Sequence, residues 1–351
     1  MKKMMRKPGR HEKNSNFNSF PVFLHSSLVS LGQVHRDDRV NRISFHLMTR
    51  VLIIGARRRH QGIGPYVARS FQQAGANVCA IVGTTDETAS TAQQQLTEYD
   101  IDCNAYTELR EALEKEEPDV VAVCSPYAKH REQLEVIAEA GAHCICEKPM
   151  WWEEPENRVE QTKTIVGAFA KRDLFFDLMT QWPCTLEQYF QLYPSLTSST
   201  IESFEMLLGP INTGPTMIID AAPHALSMLC ALVGYGTVTD ASATYLDDEH
   251  RNMRLEFRYN DVAVTCHFET CEEQPRPAWY SINGHVAHRR IELPQYTMRL
   301  TTPDDSQSVA LPDPLFEHIC NFLDNVAVGD ETDQQRLIES ISNLEILFKV
   351  G

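Results

Sequence analysis

Val51-Leu52-Ile53-Ile54-Gly55-Ala56-Arg57-Arg58-Arg59-His60-Gln61-Gly62-Ile63-Gly64-Pro65 decides the fold of this 351-residue chain. Four apolar residues in a row suit a strand buried on both faces, and a glycine-rich turn follows directly. Pro65 fits the first turn of a helix, where its missing N–H costs nothing. A Gly-x-Gly-x-x-Gly turn covers about five steps from first to third glycine, so the longer Gly55 to Gly64 loop accommodates an insert that holds Arg57, Arg58, Arg59 and His60.

Working outward, the helix after the turn runs through Ala68 and Phe71 to Gly75, and Val78 to Val82 reads as the second strand. Thr88 to Tyr99 reads as a helix, Asn104 to Tyr106 as a short third strand and Leu109 to Glu116 as a charged surface helix. Asp119 to Cys124 is expected to be the fourth strand, ended by Ser125-Pro126 because proline cannot continue a ladder. His130 to Ala140 is the next expected helix, with Gly141 as its C-cap and Cys144 to Cys146 as the fifth strand. Repeated strand-helix units of this length predict a right-handed, doubly wound parallel sheet.

After Pro149 the texture changes. Glu153 to Ala170 reads as a polar-faced helix and Leu174 to Met179 as a strand. From Ile201 onward longer alternating stretches appear at Asn252 to Tyr259, Val262 to Phe268, Trp279 to Asn283, His288 to Leu293 and Tyr296 to Thr301. Such alternation predicts an open, mainly antiparallel sheet with one solvated or partner-covered face. A terminal helix, Asp333 to Phe348, is expected to pack back on the first domain. The fold class is therefore α/β: an N-terminal Rossmann doubly wound sheet over residues 48–150 and a C-terminal α+β domain over residues 151–351.

Length alone favours two domains. Apolar content of 42% with 23% charged residues is ordinary for a globular chain. No apolar run approaches the ~18 residues that cross a bilayer. The net charge of -16 argues against a nucleic-acid footprint, which needs a clustered basic face. The first 47 residues differ, with nine Lys/Arg against three acids, a net of +6 that leaves -22 for the rest. They read as a disordered extension, or Met48 as the start, because Met48-Thr49-Arg50 runs straight into the first strand. A targeting peptide is the competing reading, weakened by Asp37-Asp38 and the lack of a clean apolar core. The ten cysteines contain no Cys-x-x-Cys pair and several lie in apolar runs, as buried thiols in a reducing, cytoplasmic setting would. His143, Cys144 and Cys146 do not make a metal cluster, since alternation puts His143 on the other sheet face, and no metal is expected.

Several residues point to chemistry. Arginines beside a helix N-terminus suit a phosphate, and the second strand ends in Gly83-Thr84-Thr85, without the Asp or Glu that would bind a ribose 2'-hydroxyl. Guanidinium groups bind a 2'-phosphate bidentately, so NADP is favoured over NAD. Glu147-Lys148-Pro149 directly follows the fifth strand, at the edge where a parallel sheet gathers its carboxyl ends. Taken with Ser125-Pro126 and His130, this segment resembles the glucose-fructose oxidoreductase, inositol dehydrogenase and rhizopine-catabolism family. The resemblance is strong over the first half of the chain from about residue 50 and loose over the second.

That resemblance implies that Lys148 reaches a substrate hydroxyl and the nicotinamide, and that Ser125 and Pro126 lie near the cofactor. Gly214-Pro215-Thr216-Met217-Ile218-Ile219-Asp220-Ala221-Ala222-Pro223-His224 is similar to the family's Asp-x-Gly-x-His, which begins a helix facing the nicotinamide. Ala222 and Pro215 depart from its glycines, which bears on pocket shape. On a helix, Asp220 and His224 share a face. The expected cofactor set is Gly55, Arg57, Arg58, Arg59, His60, Gly62, Ile63, Gly64, Thr84, Thr85, Ser125, Pro126, His130, Glu147 and Lys148. The expected catalytic set is Lys148 for alkoxide charge, His224 as base, and Asp220 to orient His224 or hold a hydroxyl. The bland readings are an N-cap for Asp220, a core histidine for His224 and a surface lysine for Lys148. Gln181 and Trp182 are placed at the substrate cleft, and Trp151 and Trp152 in interdomain packing.

The implied function is hydride transfer with NADP(H) or NAD(H) at a CH-OH, carbonyl or imine carbon of a small polar metabolite such as a sugar or cyclitol. The rivals are a non-catalytic cofactor-sensing protein and a redox-neutral enzyme that oxidises its substrate transiently. A homodimer or homotetramer is implied by the resemblance; nucleic-acid and membrane partners are not.

Overall fold

The computed structural model describes residues 46, 48–57, 62–153, 157–293 and 295–351. The expected N-terminal extension up to residue 45 and the expected cofactor residues Arg58, Arg59 and His60 lie outside the described residues. Six strands form the first sheet: β1 (Arg50–Ile54), β2 (Asn77–Val82), β3 (Asn104–Tyr106), β4 (Val120–Val123), β5 (His143–Glu147) and β6 (Phe176–Met179). All pair in parallel, in the order β3-β2-β1-β4-β5-β6. Their continuous apolar runs follow from two covered faces. Alternation sends Leu52, Ile54, Val121 and Val123 into one core and Val51, Ile53, Val120 and Ala122 into the other.

Helices α1 (Gly64–Gln73) and α2 (Asp86–Leu96) cover the second of these faces. Helices α3 (Leu109–Glu116), α4 (His130–Ala140) and α5 (Arg158–Ala170) cover the first. Pro65 stands in the first turn of α1, and Gly141 closes α4 in the left-handed region at φ 84°.

The second sheet begins after α6 (Leu186–Leu192) with β7 (Ser203–Leu208), which leads into α7 (Thr216–Val233). It continues through β8 (Val238–Tyr245), β9 (Asn252–Tyr259), β10 (Val262–Glu269), β11 (Trp279–Ile282), β12 (His285–Glu292), β13 (Thr297–Thr301) and β14 (Ser308–Leu311). The order is β14-β13-β12-β11-β7-β10-β9-β8, antiparallel except where β10 runs parallel to β7. Strand β8 escapes a sequence reading because it is the outer edge: after Val238 its residues are partly or fully exposed and show no apolar contrast. Helix α7 corrects the expectation that no apolar run approaches the length that crosses a bilayer: its 18 residues have mean hydropathy 1.6, with Asp220 the one formally charged side chain among them. Here it fills the second core, and it carries Asp220 and His224.

The chain closes with α8 (Pro314–Val328) and α9 (Gln334–Phe348). Both return to the first sheet. Leu315, Ile319 and Phe322 of α8 enter its second core, and Leu337 and Ile341 of α9 enter its first. The first lobe therefore does not stop at residue 150: β6 extends its sheet, and α5, α8 and α9 complete its covering. The Leu174 to Met179 segment joins the parallel sheet because β5 leaves an open edge that Phe176–Met179 pairs in register. The far edge of β6 is closed by Thr332, whose Oγ1 accepts the Phe176 N–H at 2.7 Å and donates to the Leu174 carbonyl at 2.9 Å.

Asp177 of β6 is buried beneath α9, where Arg336 donates to its carboxylate. Burial alone would raise that carboxyl, but Arg336, His318 and the Leu178 N–H outweigh it and hold the pKa below 3.8. The carboxylate thus stabilises the fold above its unfolded pKa and stops doing so as pH falls through its folded value. Replacing the arginine, Arg336→Met, is expected to cost about 3–5 kcal/mol by urea unfolding at neutral pH, because it strands a buried charge. The penalty is expected to shrink on acidification; a penalty independent of pH contradicts this assignment.

Candidate active site

Chain order reverses between β1 and β4, and at their carboxyl ends a cleft of about 1200 Å³ opens between the two lobes. Gly55 turns the chain there at φ 80°, and a Cβ on it would lie 2.8 Å from the Cys124 carbonyl and the Ser125 nitrogen. Gly64 is as constrained, since a Cβ would run into the Gly55 carbonyl. Ile63 is the residue before α1, and no side chain caps that helix start; Pro65 carries no N–H and Tyr66 donates its own to the Ile63 carbonyl at 2.9 Å, which leaves the Gly64 N–H, among the described residues, for an anion. Arg57 and Gly62 line the cleft beside it. This cradle fits the pyrophosphate of a dinucleotide.

The wall after β2 is formed by Gly83, Thr84 and Thr88 and carries no carboxylate at its turn. Thr85, expected at the cofactor, is instead the N-cap of α2. Its Oγ1 accepts the Thr88 N–H at 3.2 Å, and its own N–H donates to Thr88 Oγ1 at 2.9 Å. Ser125 and Pro126 line the cleft, with Ser125 Oγ donating to Gln133 Oε1 at 2.6 Å.

His130 does not line the cleft. Its ring is buried at 1% exposure, with Nε2 2.6 Å from the Ser125 carbonyl and Nδ1 3.2 and 3.1 Å from those of Pro149 and Met150. Burial pushes its pKa below 6.5 against the pull of these carbonyls. The imidazole ties the Ser125-Pro126 turn to the turn at Glu147-Lys148-Pro149, and it acts on the site by positioning.

Glu147 and Lys148 reach the cleft from the end of β5. Burial raises the Glu147 carboxyl, against the attraction of Lys148. Lys148 Nζ crosses to the other lobe and donates to the backbone carbonyl of Asp220 at 2.5 Å. Helix α7 starts at Thr216, with Pro215 before it, so Asp220 lies inside the helix and is not its N-cap. Its carboxylate accepts from the Asn212 amide. Burial raises the Asp220 pKa, while Lys148, Asn212 and Arg276 pull it down.

One turn further on, His224 faces the same cleft. Burial, then the positive charges of Lys148 and Arg289, hold its pKa well below 6.5. The expected bond from Asp220 to His224 is not made: the Asp220 carboxylate is engaged by Asn212, and His224 Nδ1 is buried without a hydrogen-bond partner. Gln181 and Trp182 line the same end. Trp182 packs edge-on at 6.4 Å from His224 and 6.2 Å from Tyr280, with the Arg289 guanidinium 5.0 Å from its ring centre. It is wall and packing at once. Trp151 lies in the first lobe's core and Trp152 in the second's, where it meets Phe348.

Asn212, Tyr127, Thr88, Arg276 and Arg289 also line the cleft and were not singled out from sequence. Asn212 and Arg276 lie on connecting segments, where no periodicity marks a direction. Arg289 did carry a signal. It sits on β12 between Ala287 and Ile291, both packed on the core, so alternation points its charge inward.

The surroundings of His224 predict that its ring titrates well below the usual imidazole range in an NMR pH titration, and that Lys148→Met moves its titration upward. Because the unfolded chain takes up a proton near 6.5 that the folded ring refuses, His224 lowers stability as pH falls below 6.5. Titration of the wild-type ring at or above that value refutes the assignment.

Residues 49–177 match the family model described as GFO_IDH_MocA, an oxidoreductase family with an NAD-binding Rossmann fold. Among curated proteins, none matches at a significant level. Solved structures align over 86% of this chain. A UDP-N-acetylglucosamine 3-dehydrogenase from Acidithiobacillus ferrooxidans does so over 97% of its own length, at 18% identity and TM-score 0.64. A levoglucosan dehydrogenase in complex with NADH and levoglucosan is covered over 98%, at 15% identity and TM-score 0.63. A 3-ketoreductase from Actinomadura kijaniata in complex with TDP-benzene and NADP is covered over 96%, at 16% identity and TM-score 0.65. Residues 49–177 thus form a domain of that oxidoreductase family with its NAD-binding Rossmann fold, which supports an NAD(P)-dependent dehydrogenase.

Proposed function

We propose that this oxidoreductase transfers hydride between NADP(H) and the CH-OH or carbonyl carbon of a small polar metabolite of the sugar or cyclitol class. The observation that carries the reading is the meeting of Lys148 from one lobe with His224 from the other, in a cleft whose opposite end is a glycine cradle. Relatives of the same fold that are named for UDP-N-acetylglucosamine and levoglucosan support the substrate class. NADP is favoured because Thr84 and Thr88 form the wall where a ribose-binding carboxylate would repel a 2'-phosphate, and Arg57 lines the same cleft.

The bound nicotinamide supplies the carbon that accepts or delivers hydride. Hydride leaves a carbinol carbon readily only as its hydroxyl proton departs, so the chain must supply a base and a cation. His224, held neutral, takes that proton in oxidation and returns it in reduction. Lys148, fixed by one bond to the Asp220 carbonyl, keeps its other N–H donors for the oxygen on which charge develops. Asp220 balances the lysine and leaves the imidazole unbound. Gln181 offers an amide to a further hydroxyl, and Trp182 closes the wall. A homodimer or homotetramer would form through the outer face of the second sheet, where Trp279 lies 5.6 Å from His267 and 6.4 Å from His288.

Steady-state kinetics over a panel of sugars and cyclitols test the reading through nicotinamide absorbance. Lys148→Ala is expected to lower kcat/KM by at least about 100-fold while cofactor binding persists. An unchanged rate removes Lys148 from the chemistry. Binding measurements should give a lower Kd for NADPH than for NADH, with the difference reduced in Arg57→Ala; a clear NADH preference overturns the cofactor assignment.

A further inference from the structure

At the second lobe's end of the cleft, two guanidinium groups stand without a carboxylate partner among the described residues. Arg289 points inward from β12 and is deeply desolvated, and its Nε is buried with no hydrogen-bond partner. Its one bond runs from a terminal N–H to the Arg276 main-chain carbonyl, 3.4 Å away. Arg276 likewise has a buried Nε without a partner. The contrast with Arg158 and Arg336 is informative, because those two little-exposed arginines bond Glu345 and Asp177. A buried guanidinium is costly unless paired, and two side by side also repel. Lys148 adds a third cation to the same chamber, where the carboxylates are Glu147 and Asp220; Asp220 acts on Lys148 and Arg276 and forms no ion pair with Arg289 among the described residues.

We propose that Arg276 and Arg289 anchor an oxyanion of the substrate, a carboxylate or a phosphate carried by the metabolite whose hydroxyl meets Lys148 and His224. This rests on the hydride-transfer reading and narrows it from neutral sugars to sugar acids or sugar phosphates. Guanidinium forks match the paired oxygens of such groups, and the Trp182 ring beneath Arg289 holds the fork in place. The cradle that fits the cofactor's own phosphates lies elsewhere, at Gly55 and Gly64. Anion binding also offsets the positive field that Arg289 exerts on His224, so an occupied anchor leaves the imidazole a better base.

Calorimetric titration of the cofactor-loaded protein with inorganic phosphate, glycolate and neutral ethylene glycol tests the anchor. Saturable binding of phosphate or glycolate is expected, with none of ethylene glycol. Affinity should fall by about tenfold or more in Arg276→Gln and in Arg289→Gln, with the Kd for the nicotinamide cofactor unchanged. Uptake of phosphate alone points to a phosphate ester as substrate, and of glycolate alone to a hydroxy acid. Absence of anion binding in the wild type, or equal binding in both variants, overturns the proposal. Should Arg289→Gln fail to fold, Arg276→Gln, outside the strands, still decides. Nicotinamide absorbance with sugar acids, sugar phosphates and neutral sugars scores hydride transfer separately: anion binding that Arg276→Gln weakens, with no turnover of any of them, removes hydride transfer and keeps the anchor.

Discussion

The bond from the Lys148 ammonium to the Asp220 carbonyl is the constraint on which the site depends, because it joins the two lobes at the point where chemistry is placed. A carbonyl does not titrate, so the tie persists at any pH at which the lysine is charged. The neighbouring sequence supplies the rigidity: adjacent tryptophans 151 and 152 enter different cores, and Arg158 stacks over Trp152 at 4.0 Å. Helix α9 repeats the arrangement along one element, with Leu337 and Ile341 in the first lobe's core and Leu344 and Leu347 in the second's. A few residues on either side of Lys148 therefore fix how far its ammonium stands from His224.

Around that tie, burial moves acids and bases in opposite directions. The carboxyls of Glu147 and Asp220 are raised by desolvation, while the imidazole of His224 is lowered by desolvation and by two cations. A chamber that disfavours charge on acid and base alike, yet holds three cationic side chains, is poised for an anionic oxygen. Either a developing alkoxide or a resident oxyanion meets that requirement.

Much of this was legible in the residues themselves. The strand-turn-helix of Val51 to Pro65 and the C-cap at Gly141 follow from patterns that a local rule can read, whereas Lys148, Asp220 and His224, which line the cleft with Gln181 and Trp182, were singled out through a family resemblance. What was not legible depended on direction. Thr84 and Thr85 are chemically alike, and only the capping geometry sends one to the cleft and the other to the helix. His130 is a polar residue at a helix start, and nothing local tells that its ring turns inward to three carbonyls. The Asp220 carboxylate was expected on His224 by helical spacing, but Asn212, on a loop without periodicity, takes it. The boundary at residue 150 came from a change of texture, whereas β6 and α5 complete the first lobe after that change.

The two departures from the Asp-x-Gly-x-His pattern illustrate how place in the fold decides whether a substitution matters. Two positions beyond Asp220 a helix has turned by about 200°, so Ala222 looks away from the cleft, fully buried in the second core, while Ala221 lines the cleft. Its methyl group therefore adds apolar packing and takes no room from a substrate. Pro215 precedes the helix, and the left-handed conformation needed there is adopted by Gly214 at φ 64°, so a second glycine is dispensable. Neither departure reshapes the chamber. Its shape and charge on this side come from the segment before β11 and from β12, through Arg276 and Arg289, which no motif in the first lobe specifies. The part of the chain that matches the family thus holds the cofactor cradle and the lysine, and the part beyond residue 177 is where selectivity for a substrate has to be sought.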